Sequence, residues 1–193
     1  SEVGRAITKL NDSRAPGEDG YDAPVAKNVY LADPLLFLSI YNVCLSLGKF
    51  PERWKRSVAL LIPKAGRDDM NDIGSYRPIG LLSVFAKILE RLLCDRLSYF
   101  LGFNNLLSDR QYGFTPQRST EDTLYDLVER VTQARRRGSV VVLISLDIKG
   151  AFDNAEWPTI LQQLRRKGCP KNIYNLVMDY FRNRRITLGH GGH

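Results

Sequence analysis

"VVVLISLDIKGAFD" (residues 140–153) decides how this chain is read. Its first seven residues, 140–146, are apolar apart from Ser145 and do not alternate, as expected of a strand covered on both faces. The run ends in Asp147, and Phe152 and Asp153 follow within six residues. A buried strand is rigid, so a carboxylate at its tip is held in a fixed place, which is how a hard cation is positioned. Gly150 predicts a turn between the two aspartates. A plainer alternative stands beside this one. An aspartate after a strand often caps the next turn, and a nearby aromatic often belongs to the core.

The preceding stretch predicts a helix. Ser119 with Asp122 three residues on resembles a capping box. Leu124, Leu127, Val128 and Val131 form an apolar stripe, and "ARRRG" (134–138) closes it with cations, Arg135 and Arg136 among them, at the favoured end. Further upstream, "LLSVFAKILERLLCDRLSYFL" (81–101) is the clearest helical pattern, with Leu82, Phe85, Ile88, Leu89, Leu92, Leu93, Leu97 and Phe100 on one face. "PLLFLSIYNVCLSLGKFP" (34–51) predicts another helix, opened by a proline and closed by Gly48 and Pro51. "RSVALLIPK" (56–64) reads as a short buried strand. "SRAPGEDGYDAP" (13–24), "AGRDDMNDIGSY" (65–76) and "SDRQYGFTPQRS" (108–119) are turn or loop chemistry. After residue 153 two helical stretches flank "GCP" (168–170), and "RRITLG" (184–189) reads as an edge strand. The element order is helix-rich with a few short strands, so the fold class is α+β or mixed α/β.

The composition is that of a globular chain: 193 residues, 44% hydrophobic and 25% charged. That length supports a real core without staples. A net charge of +7 suits a polyanionic partner but does not by itself specify one. Three cysteines, Cys44, Cys94 and Cys169, have no metal-ligand spacing and no even count. They argue against a disulfide framework or zinc module and for a reducing intracellular compartment. Cys44 and Cys94 fall in apolar helical patterns and read as small core residues. The apolar runs fall short of the ~18 residues of a membrane span, so no membrane role is expected. The opening has no signal-peptide character, and the chain reads as a segment of a longer polypeptide.

Other stretches carry candidate chemistry. Lys64 and Arg67 stand where a strand gives way to a loop, and Arg77 where that loop ends. Two cations flanking one polar loop would clamp a triphosphate, with Arg77 able to bind two oxygens at once. They would equally be solvated surface charges. Gln111, Gly113, Phe114 and Arg118 lie in one irregular loop. Gly113 allows close backbone approach, and Tyr112 or Phe114 would stack on a base or sugar. Otherwise this is a surface loop anchored by a buried Phe. "QARRRGS" (133–139) and "YFRNRRITLGH" (180–190), with Arg184 and Arg185, are the densest basic runs and would meet phosphates, or would be solvated helix ends. His190 and His193 have metal-like spacing but no third ligand. Trp54 and Trp157 read as core or core-edge residues.

In order along the chain, these stretches resemble the reverse transcriptase domain of a non-LTR (LINE-type) retrotransposon. "APGEDGY" resembles the family's upstream PGxDG turn, and "LIPKAGR…SYRPIGLLSVFAKILERLL" its fingers segment. "QYGFTPQRSTEDTL" is similar to its Q-x-GF-x-x-x-R-S segment, and "SLDIKGAFD" to its first palm motif. The resemblance runs from about residue 13 to 188. It implies helix-rich fingers with an N-terminal extension over 1–138. It also implies the first part of an RRM-like palm over 139–193, ending before the second catalytic aspartate motif. It implies RNA-directed DNA polymerase activity on an RNA template, a DNA primer and dNTPs, with two Mg²⁺ ions. Asp147 would be a catalytic metal ligand, joined by the Ile148 carbonyl. Phe152 would be the steric gate under the sugar. Lys64, Arg77 and Gln111 would contact the nucleotide, and Gly113, Phe114 and Arg118 the nucleic acid. The rest of the palm, a thumb and an endonuclease domain would come from the remaining polypeptide, and the setting would be the nucleus. The only adjacent aspartates, Asp68 and Asp69, lie in a polar loop and cannot be the family's downstream pair. The chain alone is therefore expected to be inactive. The alternative is a non-catalytic nucleic-acid-binding module.

Overall fold

A computed structural model describes residues 1–66, 69, 71–148, 150–151 and 154–188. Arg67, Asp68, Lys149, Phe152, Asp153, His190 and His193 lie outside the described residues.

The chain divides into two compact units, residues 1–100 together with those from 157 onward, and residues 101–156. The first holds α1 (Glu2–Thr8), α2 (Ala23–Ala32), α3 (Pro34–Leu47), β1 (Arg56–Pro63), β2 (Tyr76–Leu82) and most of α4 (Val84–Phe103). To these it adds α6 (Trp157–Arg166), α7 (Lys171–Phe181) and β3 (Arg185–Leu188). The second holds the end of α4, α5 (Thr120–Arg136) and the segment that leads to Asp147. The mixed α+β class is what the element order predicts.

Local signals explain the helices. Asp22 caps α2 by accepting from the Val25 amide, and Asp33 caps α3 by accepting from the Leu36 amide; each helix has proline in its first turn. Gly48 closes α3 with φ +62, a left-handed conformation that costs glycine nothing. The α4 stripe forms the centre of the core: Ile88 and Leu89 are fully buried and Leu92 nearly so. Around it pack Phe37, Tyr41, Leu45, Phe50, Leu176 and Val177. Trp54 stacks on Phe85 at 6.3 Å, and Trp157 stacks on Phe181 at 5.1 Å, both at the margin of this core.

The sheet order is β2-β1-β3. β1 and β2 form an antiparallel pair in the register Ser57↔Leu82 to Pro63↔Tyr76. β3 lies parallel to β1 at its other side, from Arg56↔Arg185 to Ala59↔Leu188, as the expected edge strand. β1 is only half a buried strand: Ser57 and Ala59 are buried, whereas Leu61, Ile62 and Pro63 are exposed. Beyond residue 60 no third strand among the described residues lies beside the ribbon.

Two expectations are corrected. Residues 139–148 carry no strand, and Val140, Val142, Ile144 and Leu146 are between 75% and 92% exposed. A strand needs a ladder partner, and none among the described residues pairs with this segment. Cys94 is exposed, unlike buried Cys44, because it lies at the edge of the α4 stripe, facing a cleft. The α5 stripe also stays largely open, with Leu124 and Val128 exposed and no residue of the helix buried. Its N-terminus is secured by the expected capping box between Ser119 and Asp122. Among the described residues no single helix is long and apolar enough to cross a membrane.

Candidate nucleotide and nucleic-acid site

Lys64 and Arg77 are brought together by the hairpin register. Lys64 continues the ladder one step past β1, its amide donating to the Ser75 carbonyl at 2.8 Å. Residues opposite one another share a face, and faces alternate along a strand. Lys64 opposite Ser75, and Ile62 opposite Arg77, therefore place both cations on the same face as diagonal neighbours. The Lys64 ammonium donates to the Gly74 carbonyl at 2.8 Å, which holds it at the neck of the loop. Arg77 is exposed. Two cations on one face at the neck of a hairpin are suited to a polyphosphate.

In the second unit the loop before α5 is braced from within. The Arg118 guanidinium donates to the carbonyls of Asp109 and Gln111, the latter at 3.1 Å, and lies 5.5 Å over the Tyr112 ring. The Gln111 side-chain amide donates to the Gly113 carbonyl at 2.9 Å. Tyr112 bonds Asp126 on α5. Desolvation, then that bond, pushes its phenol above the ordinary value. The bond from Arg130 to Asp126, 2.8 Å, holds that carboxylate below its usual range. The backbone amide of Ser119, then its hydroxyl, does the same for Asp122. Gln111 and Arg118 thus spend their hydrogen bonds on the loop itself. What the loop presents outward is Phe114, 96% exposed at φ +58, beside a depression of about 510 Å³. Among the described residues a Cβ at Gly113 would meet only the Gln111 amide at 3.9 Å, so the space beside this glycine is open. The Phe is therefore a displayed side chain and not a buried anchor.

Asp147 and Ile148 stand in the second unit as well, both exposed, at the end of the unpaired apolar segment. Their donors, a carboxylate and a backbone carbonyl, are hard oxygens of the kind Mg²⁺ takes. Among the described residues no three metal-ligating side chains gather. The donor type fits the ion, but the count does not complete a site.

The basic runs divide. Arg135 and Arg136 stand exposed in the last turn of α5. Arg185 is exposed at the start of β3. Arg184 is not a surface cation: its guanidinium lies 4.1 Å over the Tyr180 ring and 3.9 Å from Glu90, with the side chain 18% exposed. Tyr180 donates to Glu90 in the same cluster. That aromatic and carboxylate draw the cation inward, whereas Arg185 stays at the surface.

Two features escaped sequence reading. Lys55 is 1% exposed, its ammonium 3.0 Å from Asp179 and 2.8 Å from Glu52. A cleft of about 440 Å³ opens between α1, the 13–22 turn and α4, carrying Lys9, Arg14, Lys87 and Arg91 against Glu90 and Asp22. Burial, then the nearby Arg14, lowers the Lys87 pKa. Arg14 was visible in sequence only as one residue of a turn.

Residues 62–191 match the family model described as reverse transcriptase (RNA-dependent DNA polymerase). Over its whole length the chain is 33% identical to the RNA-directed DNA polymerase from mobile element jockey of Drosophila melanogaster, of which it covers 21%. It is 32% identical, over 97% of its length, to a 115 kDa protein in the type-1 retrotransposable element R1DM of the same fly, covering 18% of it. It is also 32% identical, over 96% of its length, to the retrovirus-related Pol polyprotein from type-1 retrotransposable element R1 of Bradysia coprophila, covering 18%. The chain thus spans about a fifth of the length of these curated relatives.

Proposed function

This chain belongs to the reverse transcriptase family of non-LTR retrotransposons, and we propose that it supplies the fingers (1–138) and the opening of the palm (139–193) of an RNA-directed DNA polymerase. The observation that carries the reading is the hairpin register, which sets Lys64 and Arg77 on one face at the neck of one loop. In the reaction these two cations hold the triphosphate of the incoming dNTP and orient it toward the primer end. Asp147, with the Ile148 carbonyl, would hold metal together with ligands from the rest of the palm. Two Mg²⁺ ions, when bound, supply activation of the primer 3′-hydroxyl and charge stabilisation at the leaving pyrophosphate. Phe152 acts as the steric gate against a 2′-hydroxyl. The loop braced by Arg118 presents Phe114 and the Gly113 backbone to the template strand, and Gln111 orients that backbone. Arg135, Arg136 and Arg185 meet phosphates.

The apolar segment before Asp147 finds no ladder partner among the described residues, so the strand that seats the carboxylate forms against sequence supplied elsewhere in the polypeptide. The remaining palm, a thumb and an endonuclease domain are the partners this implies, and the nucleus the setting. The 193-residue chain alone is accordingly inactive, since one carboxylate does not hold two Mg²⁺ ions productively. The same unpaired segment favours one rival, a non-catalytic nucleic-acid-binding module.

The test is primer extension on an RNA template by the full-length polypeptide that carries this chain, with Asp147→Ala beside it. Extension that Asp147→Ala abolishes supports the polymerase reading. A folded but inert protein, or an equally active variant, moves the binding module ahead.

A further inference from the structure

The register of the three strands defines a second row of cations. Arg56, Val58, Leu60 and Ile62 of β1, with Lys64 one step past it, share a face with Leu81, Ile79 and Arg77 of β2, and with Arg185 and Thr187 of β3. The opposite face carries the sheet's buried residues, Ser57 and Ala59, and Leu82 packed on the core, with Leu61, Ile186 and Leu188 exposed toward its ends. On the first face Arg56, Arg77 and Arg185 are exposed, Ile62 and Ile79 are 45% and 43% exposed, and no residue is buried. Arg56 stands directly opposite Arg185 in the parallel register. Like charges directly opposite on neighbouring strands are destabilising. Neither has an acidic partner among the described residues, because Glu52 and Asp179 are bound to Lys55, and Glu90 to Tyr180. The register sets two cations side by side, with no counter-charge among the described residues. A polyanion removes that repulsion.

We propose that this face is a phosphodiester track, with Arg56 and Arg185 gripping a nucleic-acid strand at the end remote from Lys64 and Arg77. The proposal deepens the polymerase reading and rests on it for the identity of the partner. From Arg56 to Lys64 the strand runs about 26 Å, over which one strand of a duplex carries about seven phosphates. Val58, Leu60, Ile62 and Ile79 form an apolar floor between the two cation pairs, suited to the sugar and base edges that a phosphate rail leaves behind.

The experiment measures binding of fluorescein-labelled 20-nucleotide RNA and DNA single strands to the 193-residue chain in EDTA, from 0.05 to 0.3 M salt. With no metal and no dNTP, the result does not depend on polymerase activity. A failure of the polymerase reading would appear in primer extension and not here. For Arg56→Gln with Arg185→Gln, the slope of log affinity against log salt should fall by about 1.4, and affinity about tenfold at 0.15 M salt. The control, Arg165→Gln with Arg166→Gln, removes the same charge from the exposed end of α6 and should change the slope far less. The Tm of the sheet variant should hold or rise as the repulsion disappears. Loss with either strand supports the track and identifies which strand it takes. An unchanged slope with both strands would overturn it, as would an equal loss in the control. So would a fall in Tm of more than about 4 °C, since the two arginines would then be structural.

Discussion

The Lys55 ammonium lies 3.0 Å from the Asp179 carboxylate, joining the turn before β1 to the last turns of α7. Asp179 also accepts from the Phe50 amide at 2.8 Å and from Lys49 at 3.2 Å. Lys55 is 1% exposed and Asp179 7%, so removing Asp179 leaves a buried ammonium with Glu52 as its remaining carboxylate and a Phe50 amide without its acceptor. Asp179→Ala is expected to destabilise the chain by about 3–5 kcal/mol, read by urea unfolding. The pH dependence has a definite sign. Burial alone would raise the Asp179 pKa, but the bonds from Phe50, Lys55 and Lys49 outweigh it and leave the group below its ordinary 3.8. A depressed carboxylate contributes stability above its unfolded pKa and loses it as pH falls through the folded value. Unfolding free energy should therefore drop below about pH 4. In Asp179→Asn this part of the drop should vanish. An acid limb equally steep in the variant would show that other carboxylates set it.

Gly17 makes a contact that no other residue tolerates. A Cβ there would stand 2.4 Å from the Ser83 nitrogen and 2.5 Å from the Leu82 carbonyl carbon, both backbone atoms that cannot swing aside. The PG turn is thus pressed against the end of β2, where α4 begins. Gly17→Ala should cost about 1–3 kcal/mol, seen as a fall in Tm. Gly20→Ala is the comparison: its Cβ would meet nothing within 4 Å, so its cost comes only from φ +73. Equal losses in the two variants would mean that backbone conformation, and not the close approach, governs this turn.

What the sequence revealed and what it hid follow from range. Pro34 and Gly48 announce α3 because a first-turn proline and a left-handed glycine act within a few residues, although the Asp33 cap was not read. The α4 stripe was legible because its period is internal to the helix. Residues 140–146 misled because apolar content predicts that something covers them, not whether the cover lies within this chain. Cys94 misled at the edge of a stripe, where a step of one residue turns a side chain from core to cleft. Arg184 and Arg185 read identically in sequence. Only the position of Tyr180 and Glu90 turns one inward and leaves the other exposed. The Asp179 carboxylate meets a lysine 130 residues away, which no local pattern announces.

α5 has no buried residue, so its helicity leans on its ends. The Ser119 hydroxyl accepts from the Asp122 amide at 3.2 Å, and the Asp122 carboxylate accepts from the Ser119 amide at 2.7 Å. Ser119→Ala should cost about 1 kcal/mol of helix stability. Amide exchange over residues 120–126 should speed up about fivefold, while amides of α4 and α7 keep their protection. Uniform acceleration throughout the chain would show that α5 unfolds only with the whole.

The braced loop separates two roles that a sequence reading merges. Arg118 holds the carbonyls of Asp109 and Gln111 and covers Tyr112, while Phe114 projects from the same loop. Arg118→Lys keeps the charge but loses the planar fork that reaches two carbonyls at once. It should increase exchange of the loop amides 109–118. Phe114→Ala should leave those amides as they are, because a side chain 96% exposed contributes little to packing. If the ring stacks on a base, that variant weakens RNA binding by about 1–3 kcal/mol, with an unchanged salt slope, since no charge is lost. Measured side by side, the two variants should therefore show opposite profiles: a loosened loop for Arg118→Lys, and a rigid loop with weakened binding for Phe114→Ala. A Phe114→Ala protein that binds RNA as tightly as the parent would leave the loop a brace for α5 and nothing more.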